Sequence, residues 1–261
     1  MQKRHRNRKQ YFKELAQTCE KYFLPFIEHH KEIVPELNIL EIGCGECGNL
    51  QPFSKRGCKV TGIDISDVRI EEAKQFFQEE DLQGNFLCQD IFAANFEEKF
   101  DIIIIHDVIE HVLAKKRLLT IAKNLLNSNG IIYVGFPPWQ MPFGGHQQIC
   151  HNKIISSLPF IHLLPEKAYR VLLEKIGINQ RTITELMEIK DCKTTIEHFK
   201  RLVKEVNLTQ LNEVYYFINP HYESKFGLTP RKTFSLFSAI PVWRNFFTTS
   251  YFSILNTRNQ D

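Results

Sequence analysis

The sequence predicts a doubly wound α/β fold with a mostly parallel sheet of seven strands, and three observations lead to this prediction. Short apolar runs that are too short for buried helices recur along the chain, beginning with residues 39–42. A glycine-dense turn follows this first run. Stretches with apolar residues at helical spacing separate the later runs. Strands and helices that alternate in this way are typical of a parallel sheet covered on both faces.

The first strand leads into a turn that reads Gly43-Cys44-Gly45-Glu46-Cys47-Gly48. After a short helical piece, a second strand at residues 59–63 ends on Asp64. Glycines let the backbone bend sharply and let a ligand approach the main-chain N–H groups. An aspartate at the end of the second strand can accept hydrogen bonds from both hydroxyl groups of a ribose. This unit therefore predicts a site for a cofactor that contains a nucleoside.

Two cofactors are compatible with this turn. The glycine spacing matches G-x-G-x-x-G, and an acid about 20 residues later is also found in NAD sites. Glu41, two residues before the first glycine, argues against NAD because a carboxylate repels a pyrophosphate. The same carboxylate would attract S-adenosylmethionine (SAM), whose sulfonium and ammonium groups are both positive. SAM is the cofactor that we predict, and an NAD(P)-dependent oxidoreductase is the alternative.

The elements that follow repeat the pattern of strand and helix. The predicted helices cover residues 68–80 and 115–126, and the predicted strands cover residues 85–88, 100–105 and 131–136. Ser66 or Asp67 is expected to cap the first of these helices, and Asn129-Gly130 to end the second. The strands end in polar or Gly/Pro-rich loops at one edge of the sheet, where ligands bind in open α/β folds.

The composition is that of an ordinary globular protein. The chain has 261 residues, 43% apolar and 24% charged, which is enough for one sizeable core. Its net charge of +3 is too small to indicate a nucleic-acid partner by itself. No run of 18 apolar residues occurs, and the basic first residues lack the apolar region of a signal peptide. A cytoplasmic location is therefore expected.

The cysteines give no pattern of a disulfide framework, because the seven are odd in number and scattered. A reducing compartment is therefore favoured. Cys44 and Cys47 form a C-x-x-C motif, which also occurs in redox and zinc sites. No second pair completes a zinc site, and the motif lies inside the cofactor turn. We therefore predict no metal site from the sequence.

Residues 37–136 resemble the class I SAM-dependent methyltransferases, in the branch that acts on small molecules. Segments in the same order carry the resemblance: Glu41 to Gly45 with Gly48, Asp64-Ile65, Asp90-Ile91, residues 100–112 and residues 130–136. The resemblance implies a Rossmann-like fold and SAM as the cofactor. It also implies that Glu110-His111-Val112 opens the helix after the fourth strand.

The resemblance further implies roles for individual residues. Asp64 would bind the ribose beside Ile65, and Asp90 would lie near the adenine amino group. Ile91 would pack on the adenine ring, and Asp107 would border the methionine end. The remaining cofactor-binding residues that we expect come from the glycine turn and from the ends of the fourth strand and its loop: Glu41, Gly43, Cys44, Gly45, His106 and His111.

Methyl transfer from a sulfonium is an in-line displacement whose chemistry belongs to the cofactor. The protein must align donor and acceptor, exclude water and remove a proton from a hydroxyl or amine acceptor. His146 follows two glycines in a loop lined by Pro, Trp and Phe, and it is the catalytic base that we predict. His151 is a second candidate, whereas His111 is expected to be mainly structural. Aromatic residues near the amino terminus are candidates for a cover that excludes water: Tyr11, Tyr22 and Phe23.

The carboxyl-terminal part is expected to complete the sheet. We predict a helix at residues 165–176, a sixth strand at 182–189, a helical insertion at 194–208 and a seventh strand at 213–218. The tail, residues 220–258, is rich in aromatic and basic residues. We interpret it as a layer that closes the core, as a site for a bulky apolar acceptor, or as a segment that contacts anionic lipid headgroups. It is similar to the tails of bacterial methyltransferases that act on lipid-linked or surface-glycan precursors.

Together these features predict a single methyltransferase domain. Residues 1–36 form a helical cover, residues 37–219 the catalytic core and residues 220–261 a carboxyl-terminal extension. We expect transfer of a methyl group to a small, lipid-like or glycan acceptor, at oxygen rather than at nitrogen or carbon. A non-catalytic SAM-binding protein is a further alternative. Nucleic-acid methylation is disfavoured because no Asn/Asp-Pro-Pro-Tyr tetrad follows the fourth strand.

Overall fold

The computed structural model describes residues 7–257, in which helices flank an eight-stranded sheet. The strands are β1 (Asn38–Ile42), β2 (Lys59–Asp64), β3 (Asn85–Cys88), β4 (Phe100–His106), β5 (Leu126–Phe136), β6 (Leu208–Ile218), β7 (Arg231–Lys232) and β8 (Ser250–Thr257). The helices are α1 (Arg8–Thr18), α2 (Leu24–Glu28), α3 (Gln51–Ser54), α4 (Asp67–Glu79), α5 (Lys115–Leu125), α6 (Lys153–Ser157), α7 (Glu166–Lys175), α8 (Gln180–Cys192), α9 (Ile196–Glu205), α10 (His221–Phe226) and α11 (Ser235–Ala239). Within residues 7–257, no helix is long and apolar enough to cross a membrane.

The order of strands in the sheet is β3-β2-β1-β4-β5-β8-β6-β7. The strands from β3 to β5 are parallel, whereas β8 runs antiparallel to both β5 and β6. In β4 the side chains of residues 102–105 are fully buried, as expected for a strand covered on both faces. The prediction of a doubly wound, mostly parallel sheet is confirmed, with eight strands in place of seven.

Each face of the sheet carries its own apolar core. On one face, Ile102 and Ile104 pack with Phe12 and Phe23 of the amino-terminal helical segment. On the other face, Ile103 and Ile105 belong to the cluster that includes side chains of α5 and α9. The apolar side chains of the segment predicted as a helical insertion are buried in this cluster: Ile196, Phe199, Leu202, Val203 and Val206.

The amino-terminal segment, which we expected to be helical, forms helices that pack on one face of the sheet. A π-helical segment, Cys19–Phe23, joins α1 to α2. Phe23 is 1% exposed and packs against Tyr133, His106 and Phe252. The basic residues before Asn7, and Arg258 in the tail, lie outside the described part of the chain.

The sixth strand predicted at residues 182–189 is wrong, because this segment is part of helix α8. The side chain of Asn179 accepts a hydrogen bond from the Thr182 N–H at 2.9 Å and caps the helix. Ile183, Leu186 and Met187 are buried at the i, i+3, i+4 spacing of a helix. The β-branched residues of this segment favour a strand locally. The helix forms because it buries the face that carries Ile183, Leu186 and Met187 against the rest of the fold.

The end of the chain corrects the prediction further. Strand β6 begins at Leu208, five residues before the predicted start at Glu213. The last strand, β8, lies inside the sheet between β5 and β6, so the tail contributes a core strand as well as a surface layer. Asn129 and Gly130, which we expected to end a helix, lie within β5, and α5 ends earlier at Leu125.

Candidate active site

The glycine turn after β1 brings the backbone close to two neighbouring segments. Gly43 has φ +70°, and a Cβ atom there would lie 2.4 Å from Cγ2 of Val108, in the loop after β4. A Cβ atom on Gly48 would lie 2.5 Å from the carbonyl oxygen of Phe12 in α1. These contacts explain both glycines, because any side chain would push the turn away from the β4 loop and from the cover.

Asp64 ends β2 and connects the turn to the next helix. Its Oδ2 accepts a hydrogen bond from the Gly45 N–H at 2.9 Å, and its Oδ1 accepts one from the Ser66 N–H at 2.9 Å. The residue is 8% exposed. An ionised carboxylate has about four acceptor positions, so each oxygen can still accept a hydrogen bond from a ligand hydroxyl. The carboxylate thus both holds the turn and remains competent to bind a ribose.

A cavity of about 850 Å³ opens at the carboxyl ends of the parallel strands. Sequence-predicted site residues line it: Gly43, Asp64, Ile65, Asp90, Ile91, Asp107 and His111. Acidic residues outnumber basic ones in its described lining, since Glu188 and Asp191 add two further carboxyl groups and Arg69 adds a guanidinium. A cavity of this size, with more acidic than basic side chains in its lining, suits a cationic cofactor and would repel a pyrophosphate.

Helix α8 supplies lining residues that the sequence reasoning missed, namely Glu188, Asp191 and Cys192. They were missed because residues 182–189 were predicted as the sixth strand. The spacing of Ile183, Leu186 and Met187 was the signal that pointed to a helix. The end of α8 is held at the site, because the thiol of Cys192 donates to the carbonyl of His111 at 3.3 Å.

Glu41 lies below the turn and does not line the cavity. It is 1% exposed, and its Oε1 accepts a hydrogen bond from Asn49 Nδ2 at 2.7 Å. Its Oε2 has no hydrogen-bond partner among the described residues. Burial raises the pKa of Glu41 to about 8, although the hydrogen bond from Asn49 has the opposite effect and lowers it. A buried carboxyl with an unpartnered oxygen is a fitting acceptor for a cationic group of a ligand.

Cys44 and Gly45 shape the turn from outside the cavity lining. A Cβ atom at Gly62 would lie within 2.8 Å of both the Cys44 and Cys47 sulfurs, so the two thiols face β2. Burial raises the pKa of both thiols. Redox and metal chemistry require the thiolate, so this environment disfavours both for the C-x-x-C motif.

His106 also lies away from the cavity. Its ring packs among Phe23, Tyr133 and Phe252, and its Nδ1 lies 3.3 Å from the Tyr133 hydroxyl oxygen. Burial lowers its pKa, with Asp107 opposing this effect. Its position in the aromatic core gives it a structural role in orienting the end of β4.

The loops after β4 and β5 bring a histidine pair together at the edge of the cavity. The rings of His111 and His146 have centroids 4.8 Å apart and are nearly perpendicular, at 85°. His146 itself does not line the cavity but packs against the ring of His111, which does. Burial, together with the neighbouring His111, lowers the pKa of His146 to about 4. The helix that Glu110-His111-Val112 was expected to open begins later, at Lys115, because residues 109–111 form a separate 3₁₀ turn.

Residues 40–134 match the family model described as a methyltransferase domain. The chain is 28% identical over 188 residues to a ubiquinone biosynthesis O-methyltransferase of Bartonella quintana, covering 66% of this chain and 76% of that protein. It is 35% identical over 98 residues to the protein of the same name from Rhodopseudomonas palustris, covering 38% of this chain and 39% of that protein. The chain likewise spans less than half the length of its relatives from Coxiella burnetii and Rickettsia typhi.

Solved structures share the fold over most of the chain. A putative sarcosine dimethylglycine methyltransferase from Galdieria sulphuraria has a TM-score of 0.60 at 13% identity, covering 92% of this chain and 84% of that one. Magnesium protoporphyrin IX methyltransferase from Synechocystis PCC 6803, with bound SAH, has a TM-score of 0.55 at 15% identity, covering 94% and 83%. At these identities the likeness shows the fold.

The sheet, the acidic cavity at its carboxyl edge and these comparisons define a class I SAM-dependent methyltransferase. Residues 40–134 belong to the methyltransferase domain family. Of the two cofactors considered from the sequence, SAM is therefore the correct one. The chain is an enzyme that transfers a methyl group.

Proposed function

We propose that this enzyme transfers a methyl group from SAM to a hydroxyl oxygen of a small, apolar, lipid-like or lipid-linked acceptor. The observation that carries the proposal is the acidic cavity of about 850 Å³ at the carboxyl edge of the sheet. The names of the relatives support oxygen as the acceptor atom, since they are O-methyltransferases of ubiquinone biosynthesis. A single catalytic domain, which we also propose, is consistent with one sheet containing strands from both ends of the chain.

Within the cavity, we assign the cofactor's binding groups from the side chains at the strand ends. Asp64 accepts hydrogen bonds from the ribose, and Asp90 with Ile65 and Ile91 holds the adenine. Asp107 borders the methionine end. When bound, SAM supplies a methyl group on a positively charged sulfur, which makes that methyl carbon electrophilic. The chain's contribution is to orient this group and to exclude water around it.

Glu41 is the residue that we propose for the ammonium group of the cofactor. Its Oε2 is buried and has no hydrogen-bond partner among residues 7–257. A cation beside this carboxyl would favour its ionised form and recover the cost of burying it. Gly43 lines the cavity, whereas Cys44 and Gly45 contribute by shaping the backbone of the turn, where the Gly45 N–H donates to Asp64.

His146 is the residue that we propose to act on the acceptor hydroxyl, together with His111. The two imidazoles are in contact where the loops after β4 and β5 meet, and His111 lines the cavity. An acceptor held there would face the methionine end of the cofactor beside Asp107. Of the two, His111 lines the cavity, and His146 acts on the acceptor through its contact with His111.

We also propose that the enzyme meets its acceptor at an anionic membrane surface. Large apolar side chains of residues 234–243 are exposed: Phe234 by 74%, Leu236 by 69%, Val242 by 54% and Trp243 by 61%. These residues, which we name the tail patch, follow the exposed basic strand β7, Arg231–Lys232. Apolar side chains that enter the headgroup region, with basic residues beside them, are typical of interfacial segments.

The function is tested first by calorimetric titration with SAM, S-adenosylhomocysteine and NAD. We expect micromolar binding of both adenosyl-sulfur ligands and no heat from NAD. Turnover is then measured as S-adenosylhomocysteine production with a panel of apolar phenols and long-chain alcohols, and with amines of matched shape. Methylation of amines in preference to the hydroxyl compounds would contradict the proposed acceptor atom.

A further inference from the structure

A buried carboxyl group lies next in sequence to His111 of the cavity and has no hydrogen-bond partner within residues 7–257. Glu110, in the 3₁₀ turn between β4 and α5, is 6% exposed. Neither of its carboxyl oxygens has a hydrogen-bond partner among the described residues. Burying a carboxyl without a partner is unfavourable, so such a group in a native fold requires an explanation.

Two imidazoles face this carboxyl group from different parts of the chain. One ligand atom from each of Glu110, His111 and His146 lies within 4.8 Å of the other two. Glu110 Oε1 and His111 Nε2 are 4.0 Å apart, which is too long for a hydrogen bond. His146 adopts φ +55°, an uncommon conformation for a residue other than glycine, at the end of the loop that delivers it to His111. The three groups therefore converge without bonding to one another.

We propose that Glu110, His111 and His146 bind a divalent cation of the Zn²⁺ type. Two histidines and one glutamate are a known ligand set of catalytic zinc sites, which keep a fourth position open. Imidazole ligands favour zinc over magnesium. Ligands at zinc lie about 2.0–2.2 Å from the ion and hence roughly 3.4 Å from one another. The distances between the three ligand atoms thus need to shorten by about an ångström when the ion binds.

The open position of this site faces the cavity, because His111 is the ligand that lines it. On the basis of the proposed function, the acceptor hydroxyl occupies this position. A zinc ion lowers the pKa of a bound hydroxyl, as it does for water. The hydroxyl proton then passes to solvent, and the oxygen's electron pair forms the bond to the methyl carbon while the carbon–sulfur bond breaks toward sulfur. The site thereby deepens the assignment of His146, which acts as a ligand and not as a base.

The test measures metal binding directly. The full chain is freed of metal with a chelator and titrated with Zn²⁺, and separately with Mg²⁺, by calorimetry. We expect one Zn²⁺ per chain with micromolar or tighter affinity, and at least 100-fold weaker binding in Glu110→Gln and in His146→Ala. Binding of Mg²⁺ is expected to be weaker than that of Zn²⁺. His29→Ala is the matched control, because this exposed histidine on the cover is remote from the cluster.

Several outcomes would overturn the site. They are the absence of Zn²⁺ binding by the folded wild type, unchanged affinity in both cluster variants, and binding that is lost only in Cys47→Ala. Thermal unfolding checks that each variant is folded, and His111→Ala replaces any variant that is not. SAM titration of the same samples separates this inference from the proposed function. If Zn²⁺ does not bind while SAM binding and turnover persist, the metal site is wrong and the proposed function stands. If Zn²⁺ binds but SAM binding and turnover are absent, the proposed function alone is contradicted.

Discussion

Asp64 combines two tasks at the scale of a single residue. Its carboxylate accepts hydrogen bonds from the N–H groups of Gly45 and Ser66, and it lines the cavity. The same group therefore holds the glycine turn in shape and keeps acceptor positions for the ribose that we propose it binds. This arrangement makes the turn pre-organised for its ligand.

Replacement of Asp64 by alanine is expected to weaken SAM binding by an order of magnitude or more. The loss of hydrogen bonds to a charged group corresponds to about 1–3 kcal/mol. Calorimetric titration gives the change in affinity. Asp67→Ala is the matched control, because Asp67 is exposed at the start of α4 and lies outside the cavity lining. Equal affinities of Asp64→Ala and wild type would show that the ribose does not bind at the end of β2.

His146→Ala separates binding of the cofactor from action on the acceptor. We expect kcat to fall by about 10²-fold or more, because the variant loses a group that activates the acceptor hydroxyl for proton loss. The dissociation constant of SAM is expected to stay within about threefold, because His146 does not line the cofactor cavity. Steady-state kinetics and SAM titration are compared for this variant and for His151→Ala, which carries the second candidate. A larger loss of kcat in His151→Ala would reassign the role.

At the scale of elements, Glu197 ties α9 to the segment before β8. Its carboxylate accepts hydrogen bonds from the Val242 N–H at 3.0 Å, Arg244 Nε at 2.8 Å and Asn245 Nδ2 at 2.6 Å. Burial opposes ionisation, but these donors prevail and lower the pKa of Glu197. The contact positions the tail patch relative to the core.

We expect Glu197→Gln to reduce the free energy of unfolding by about 1–3 kcal/mol near neutral pH, because a charge-assisted network is lost. Since the pKa is lower in the folded state, the wild-type contribution is present above the unfolded value of about 4.3. It disappears as the pH falls through the folded value. The difference between variant and wild type should therefore shrink in acid. Urea unfolding from pH 7 to pH 3 measures it, with the exposed Glu185→Gln as control. If the difference in free energy of unfolding between Glu197→Gln and wild type grew as the pH fell, the predicted pH dependence would be wrong.

At the scale of the whole molecule, the tail patch and β7 predict a preference for anionic membranes. We expect the wild type to co-sediment with phosphatidylglycerol vesicles more strongly than with phosphatidylcholine vesicles, because each basic residue near the surface adds about 1 kcal/mol. Phe234→Ser with Trp243→Ser should reduce vesicle binding by about tenfold or more, through loss of apolar insertion.

The control for this experiment is Val171→Ser, which removes an exposed apolar side chain of α7 outside the tail patch. Arg231→Glu with Lys232→Glu should abolish the preference for anionic vesicles while leaving the tail patch intact. Vesicle binding by wild type that is no stronger than that of the double serine variant would rule out the membrane contact.

The first four of the eight strands followed from local patterns. The strands β1 to β4 and the helix α4 were predicted within about two residues, because continuous apolar runs and the Ser66 cap are local signals. The position of Asp64 at the cavity also follows from its place at the end of a parallel strand.

The sequence by itself thus determined the class of fold, the glycine turn and the edge at which the cofactor site lies, because each depends on residues close together in the chain. Only the tertiary structure decided that residues 180–192 form a helix at the site and that β8 enters the sheet. It likewise decided that Glu110, His111 and His146 meet while His106 turns into the aromatic core. These features depend on contacts between distant segments, and no local periodicity records which segments will pack together.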